Sequence, residues 1–587
     1  MIRLLKFLAT LLVLFLAIAC PGRALEIGQT LWGFDGHVVQ DCFNPLSVLV
    51  FNPGNTPFDG AVSLSAIEGG VTSRGAAYVQ PVFLAPHTSR WVQFYVHTGN
   101  GTSNYLLRWG RGARENYELD DRPKGGPPAC VWLRDIENPL AATGALKTFP
   151  DQLFPTTAAA AEGLDAVVLD HVPKWEPVRR EAFLDWVRLG GTVHLLPGAN
   201  GRLPIFGEGL EALDTPNEET RVGSGRVVHH QVSLRELDEK YLAAHGFPPR
   251  TINTSKPANT APNHNNVPLI YDLEALLFRG LSSLTRPKVS WSLINFLVLA
   301  YLAVIGPVHS YYRRRVDYRV SIAAFLGCVA LFAVGLGLVG RRGYGESQTV
   351  HSLAVAHVMG GGRADVTQWV SAFATTGDKY TVSHLSPVNL YAIDRWAEAG
   401  SGLIFNGKDG YLQMDIPLYS SRAFLHRAIM TGDDTSVTVE KWDAGDTSLK
   451  SLRLRTAPGF PRHPTEIHAV YDGFFHELVL RDGVLERSSK PIEGLTAHFA
   501  REKFSPFIYG YSGNQNDPDA PRKLMPLLAA RTLRVPDVFP TVISPPSHHA
   551  DLQLLVVAPA PASLQLQGHG FTRESGWVLY VQDVFKP

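Results

Sequence analysis

The chain has 587 residues, enough for three or four domains with cores of their own. Basic and acidic side chains balance at 54 each, so no global charge draws a nucleic-acid partner and that class is set aside. Aromatic residues make up 10% of the chain beside 53 glycines and 41 prolines, a mixture that favours strands and turns over long soluble helices.

Residues 1–24 have the layout of an export signal, with Arg3 and Lys6 ahead of an apolar run over 8–18. Gly22 and Ala24 suit cleavage after Ala24. Ala17-Ile18-Ala19-Cys20 is a degraded lipoprotein box that would lipidate Cys20, and a retained segment would be a third membrane helix. Over 25–120, short apolar strands at 46–51, 61–65, 79–84 and 91–97 alternate with turns, which predicts an immunoglobulin-like β-sandwich. If the region is exported, Cys42 and Cys130 share an oxidising compartment and could form a disulfide.

A Pro/Gly-rich linker at 121–128 gives way to a strand, helix, strand rhythm over 129–240. Strands are expected at 131–133, 165–169, 192–196 and 226–231. A helix at 177–189 carries Phe183, Trp186 and Val187 on one face and stops at Gly190-Gly191. This pattern predicts a parallel α/β sheet. Asp170 and His171 follow the 165–169 strand, at the carboxyl end where open α/β sheets bind ligands, and are the candidate pocket residues. A solvated loop or a cap for the next helix accounts for them without a ligand and is the preferred reading. His194, inside a strand, reads as a core histidine.

The runs Leu164-Asp165-Ala166-Val167-Val168-Leu169, Phe183-Leu184-Asp185-Trp186-Val187-Arg188-Leu189-Gly190-Gly191-Thr192-Val193 and Gly223-Ser224-Gly225-Arg226-Val227-Val228 resemble the class I glutamine amidotransferase-like domain of uncharacterised bacterial membrane proteins. Active amidotransferases carry a cysteine on a tight strand-to-helix turn, because a thiolate needs a neighbouring base to act as a nucleophile. The turn here, Pro197-Gly198-Ala199-Asn200-Gly201, has neither cysteine nor serine, so the resemblance implies a degenerate domain with no catalytic cysteine and no known substrate. Proteins of this kind are associated with operons of MoxR-type ATPases and von Willebrand A-domain proteins, which implies an assembly or stress-related complex.

The 241–288 stretch reads as a linker, Asn/Thr/Pro-rich at 251–266. An amphipathic helix follows at 269–284, either on the bilayer with Leu273, Leu276, Leu277 and Leu281 toward lipid or as a short soluble helix. Segments 289–311 and 320–340 contain no Asp, Glu, Lys or Arg and are long enough to span a bilayer. The connector 312–319 carries four arginines and is expected in the cytoplasm. Asn295 is expected to hydrogen-bond to the partner helix, Ala323/Gly327 and Ala333/Gly337 to form a close-packing stripe, and Gly306-Pro307 to kink the first span. Alternation over 348–587 predicts a mainly-β region, mostly antiparallel, with one helix at 523–533. His548-His549 reads as an exposed loop. No cofactor or metal motif appears.

These features predict a two-span protein of the bacterial inner membrane with both large regions extracytoplasmic. The expected role is non-enzymatic, a binding or scaffold component touching the lipid bilayer and an envelope protein partner. The alternatives are an envelope hydrolase or transferase using Asp170 and His171, and a subunit of an export or transport assembly.

Overall fold

The computed structural model describes residues 25–587 apart from 69–70, 73–74, 100–103, 111–114, 136–145, 199, 208, 246, 248–272, 286–290, 314, 341–346, 394–401, 446–448, 500–518, 534–549 and 568–569. The export signal with Cys20, the 251–266 linker and His548-His549 lie outside the described residues.

Strands β1 (Glu26–Trp32), β2 (Cys42–Phe51), β3 (Phe58–Glu68), β4 (Ala76–Leu84), β5 (Ser89–Thr98), β6 (Asn104–Trp109) and β7 (Glu115–Glu118) form two facing sheets, β1-β2-β5 and β4-β3-β6-β7. Alternation turns Leu46, Val48 and Val50 of β2 and Phe94 of β5 toward Val62, Leu64 and Leu107 in one core.

A second unit is built from β8 (Ala129–Arg134), β9 (Lys147–Pro150), β10 (Leu164–Leu169), α1 (Pro177–Arg188), β11 (Thr192–Leu195), β12 (Glu219–Val222) and β13 (Gly225–His229). Its strand order is β9-β8-β10-β11-β13-β12, with every pairing parallel except β13 with β12. Helix α1 opens with a proline in its first turn, where the missing N–H costs nothing, and ends at Gly190 with φ 121°. Phe183, Trp186 and Val187 cover Val131, Val167, Leu169, Val193 and Leu195, while Trp132, Val168 and Leu196 on the opposite face pack on Leu234, Leu237 and Phe247. Burial on both faces is what a parallel sheet requires. Gly225 is obligatory, since a Cβ there would lie 2.0 Å from the Val187 carbonyl oxygen and 2.4 Å from that of Gly191.

Beyond the helical hairpin come β14 (Thr349–Gly360), β15 (Arg363–Ala374), β16 (Asp378–Val382), β17 (Val388–Ile393), β18 (Gly402–Phe405), β19 (Tyr411–Ile416), β20 (Ser420–Thr431) and β21 (Val437–Ala444). They are followed by β22 (Leu449–Thr456), β23 (Glu466–Tyr471), β24 (Phe474–Arg481), β25 (Val484–Arg487), β26 (Leu552–Pro559) and β27 (Arg573–Val584). One long sheet runs β17-β20-β15-β14-β27-β26-β23-β24-β25-β22-β21, antiparallel except where the last strand pairs in parallel with the first, β14. The predicted helix is present as a 3-10 turn, Ala520–Leu524, leading into a helix, Met525–Thr532.

The two regions either side of the hairpin are one folded body. Strands β16, β19 and β18 extend the first sandwich, giving the order β16-β19-β18-β4-β3-β6-β7, with Gly402, Leu403 and Ile404 in parallel register with Ala76, Ala77 and Tyr78. Gln80 donates to the Asn406 carbonyl at 3.0 Å, and the Asn406 side chain donates to the Tyr95 carbonyl at 2.9 Å while accepting from the Tyr391 N–H at 2.6 Å. A single apolar core collects Phe43 and Tyr95 from the sandwich, Ala159 and Ala160 from the α/β unit, and Trp369, Leu425 and Trp577 from the long sheet. Both ends of the hairpin therefore open on the same side.

Helix α2 (Leu273–Thr285) corrects the lipid-facing expectation for the 269–284 segment. Leu277, Phe278, Leu281 and Leu284 are buried in that shared core, against β14, β15 and β20. An apolar helical stripe is satisfied equally by lipid or by a sheet, and here the sheet covers it.

Two arginines of the long sheet clamp the α/β unit. Buried Arg427 donates to Asp365 at 2.6 and 3.2 Å and also pairs with Glu162. Arg363 pairs with Glu181 and with both carboxylate oxygens of Asp185 on α1. Cys42 opens β2 of the sandwich and Cys130 lies in β8 of the parallel sheet, and the expected disulfide between them is not formed. Burial, aided by the Glu162 charge, pushes the Cys42 thiol well up, which leaves it unreactive.

The hairpin consists of α3 (Trp291–Ala303), a π-helical turn Val304–Val308, α4 (His309–Arg313) and α5 (Tyr318–Gly340). Both arms are long and apolar enough to cross a membrane. Their apolar side chains are bare rather than packed, with Phe296 67% and Leu331 70% exposed, unlike any core helix. The kink expected at Gly306-Pro307 is realised as the π turn, because Pro307 has no N–H to continue the α-helical ladder. Asn295, Ala323 and Gly327 are exposed, and a Cβ at Gly327 would meet nothing within 4 Å, so the expected close-packed stripe is not formed there. The arms instead meet through Tyr301 on Phe332 and His309 on Phe325.

At the seam His384 and His426 stack with ring centroids 3.6 Å apart, bonded to Tyr391 and to Asn389 respectively. Burial holds both rings neutral, lowering the pKa of His384 to about 3 and that of His426 well below its ordinary value. A histidine depressed in the fold contributes stability above about pH 6.5, which is lost as pH falls toward its folded value. Unfolding free energies from urea titrations between about pH 7.5 and pH 5 are therefore expected to fall by up to about 1.4 kcal/mol per pH unit per buried histidine; a flat profile contradicts the burial of these rings. Replacing Arg427 with Ala strands Asp365 without its partner and is expected to cost about 3–5 kcal/mol in chemical denaturation, with protease cutting of both regions appearing together.

Candidate functional site

The α/β sheet reverses direction around β8. The chain leaves β8 for β9 on one side and then returns past it to β10 on the other. The crevice outside the carboxyl ends of β8 and β10 is therefore a topological switch point, the place where open α/β sheets bind ligands. Asp151 follows β9, and Asp170 and His171 follow β10, so the two candidates lie there beside a third group.

His171 sits between two carboxylates. Its Nδ1 is 2.9 Å from Asp170 Oδ1 and its Nε2 is 3.4 Å from Asp151 Oδ2. Trp132 of β8 donates its indole N–H to Asp170 Oδ1 at 3.1 Å, and Trp175 donates to the Asp151 carbonyl at 2.8 Å. Burial works against a charge on His171, but hydrogen bonds and charges from Asp151 and Asp170 outweigh it and raise its pKa to about 9. At neutral pH the ring is an imidazolium, with each nitrogen donating to a carboxylate. In that state neither nitrogen keeps a lone pair for a nucleophile's proton, so the ring is poorly suited to be the base of a triad. What the geometry does accomplish is to tie the ends of β8, β9 and β10 together.

Asp151 was not singled out from sequence. It lies in a short turn whose closeness to Asp170 comes only from strand order, though its place after Phe149-Pro150 at a strand end is a signal of the same kind. A second polar cluster covers the opposite face. His194 on β11 is buried and 2.9 Å from His230, which is 3.0 Å from the Tyr241 hydroxyl. Burial holds both rings neutral, lowering His194 to about 3 and His230 to about 4. His194 is thus a satisfied core histidine, as expected. No group of three His, Cys, Asp or Glu side chains among the described residues is arranged to hold a metal ion.

No family model and no curated protein matches the chain. A solved structure from Paenibacillus sp., a cycloisomaltooligosaccharide glucanotransferase complexed with cycloisomaltoheptaose, aligns over 80% of this chain and 98% of its own at 8% identity. The TM-score of 0.15 is too low to indicate a shared fold.

The folded pKa of His171 exceeds the ordinary histidine value, so its stabilisation is complete below about pH 6.5 and is lost as pH rises through about 9. His171→Gln is expected to destabilise by up to about 3 kcal/mol near pH 6 and by much less near pH 10. Equal penalties at the two pH values in thermal unfolding would contradict the ion-paired ring.

Proposed function

We propose that the chain is a two-span protein of the bacterial inner membrane whose two large regions form one extracytoplasmic lobe, and that this lobe is a non-enzymatic binding or scaffold component of a membrane complex. The observation that supports this best is the saturated ring of His171: the strongest site candidate is spent on holding strand ends together. The bare apolar arms support the membrane anchor, and the arginine-rich connector supports a cytoplasmic turn. The parallel sheet, with no cysteine at the 197–201 turn, supports a degenerate amidotransferase-like unit, and an envelope hydrolase or transferase is correspondingly disfavoured.

Protease added to intact spheroplasts is expected to degrade the lobe while sparing the connector, and protection of both regions would overturn the orientation. In gentle detergent the chain is expected to migrate on native gels well above its 64.3 kDa mass, bound to an envelope protein. Asp170→Asn is expected to leave that assembly intact. Migration as a lone chain, together with a hydrolytic activity lost in Asp170→Asn, would replace the scaffold reading with the enzyme.

A further inference from the structure

The hairpin is tied closely to one end of the lobe. Residues 286–290 join Thr285 at the end of α2 to Trp291 at the start of α3, and residues 341–346 join Gly340 at the end of α5 to Ser347. Even fully extended, tethers of this length reach only about 20–25 Å. The part of the lobe that holds Leu284 and Gln348 is therefore kept beside the membrane that the arms enter. Leu284 is buried in the shared core, and Gln348 is fixed at one end of the long sheet, where its carbonyl accepts from the Thr572 N–H at 2.9 Å and its side chain donates to Thr376 Oγ1 at 3.1 Å. Strand pairing puts Thr349, Ala374, Ser420 and Arg573 at this near end, while Gly360, Arg363 and Thr431 mark the far end. The length of β15 sets the two ends about 35 Å apart.

One apolar turn protrudes at the near end. Pro417, Leu418 and Tyr419 link β19 to β20, and Ser420 closes the turn by donating its N–H and its hydroxyl to the Pro417 carbonyl at 3.2 and 2.8 Å. Pro417 is exposed, Leu418 is 63% exposed and Tyr419 is half-buried. Tyr419 has φ 52°, a left-handed conformation that is costly for a bulky residue, so the backbone is strained in the arrangement that holds Leu418 out. The turn rests on Gly377, where a Cβ would come within 3.0 Å of the Leu418 nitrogen. Leu418 is thus joined to the root of the second arm through Gly377 and its neighbour Thr376, the residue that Gln348 holds. A lone exposed leucine is ordinary on a soluble surface. Leu385 is such a residue, 64% exposed at the far end, where the adjacent Ser386 donates to the Ile429 carbonyl. Leu418 differs in its place beside the membrane entry and in its company, since tyrosine beside aliphatic side chains is the composition that settles at a membrane interface.

We propose that the Pro417–Tyr419 turn sits in the headgroup layer of the bilayer that the hairpin crosses, with Leu418 reaching the acyl boundary. The lobe is then seated on the membrane rather than swinging from its two tethers. The assignment rests on the hairpin crossing the membrane but not on which side the lobe lies. Because the turn joins β19 of the sandwich sheet to β20 of the long sheet, seating it orients both halves of the lobe at once.

The full chain, with p-benzoylphenylalanine in place of Leu418, Leu385 or Leu326, is reconstituted in vesicles of phosphatidylethanolamine and phosphatidylglycerol, irradiated, and weighed intact by mass spectrometry. Leu326 lies on α5 and is 60% exposed, so it reports the arm itself. The added mass of one phospholipid is expected at 418 and at 326 and is expected to be lost at 385. The same adduct is expected when the photoreactive residue replaces the exposed Pro417 instead. No adduct at 418 or 417 beside a clear adduct at 326 overturns the seating alone. No adduct at 326 overturns the spanning hairpin and the seating with it. Equal adducts at 418 and 385, or a crosslinked dimer of the chain at 418 in place of the lipid, would also overturn the proposal.

Discussion

The structure depends on one short ladder of main-chain hydrogen bonds, where Gly402 to Ile404 lie beside Ala76 to Tyr78. A sheet begun before the hairpin is finished by strands made after it, and the neighbouring contacts follow from that join. Asn406 then reaches the backbone of both Tyr95 and Tyr391, and Arg427 is brought to Glu162. Without this pairing there would be two β regions tethered by a hairpin. With it there is one core, to which sandwich, α/β unit and long sheet all contribute.

The hairpin obeys the same constraint. Since its two ends must emerge on one face of the lobe, only an even number of crossings is compatible with the fold. The charges placed around the seam are paired, buried Arg427 with Asp365 and half-buried Arg363 with Asp185, while the buried imidazoles are kept neutral. Removing one partner of such a pair is costly because the other charge is left uncompensated. His171 plays a comparable part at the carboxyl edge of the parallel sheet.

Much of this was legible in the residues. Period-two alternation located the sandwich strands, a proline start and a double-glycine stop delimited α1, and two uncharged apolar runs marked the hairpin. Pairing across the hairpin was not legible, because alternation tells which face of a strand is apolar but not which strand lies beside it, and Gln80 and Asn406 are 326 residues apart. For the same reason the stripe of Leu277 and Leu281 could not disclose whether lipid or sheet would cover it. At the switch point, Asp170 and His171 stood out by their place after a strand. Asp151 did not, although it is the group that lies 3.4 Å from the second ring nitrogen of His171.

The interleaving of early and late strands has a consequence for biogenesis. Strand β4 leaves the ribosome hundreds of residues ahead of β18, and the C-terminal strand β27 must slot in beside β14 to complete the long sheet. The first-made half therefore waits with an open β edge and an uncovered apolar face until synthesis is nearly over. A nascent chain of this design exposes unpaired strand edges and apolar surface for longer than one built from self-contained modules.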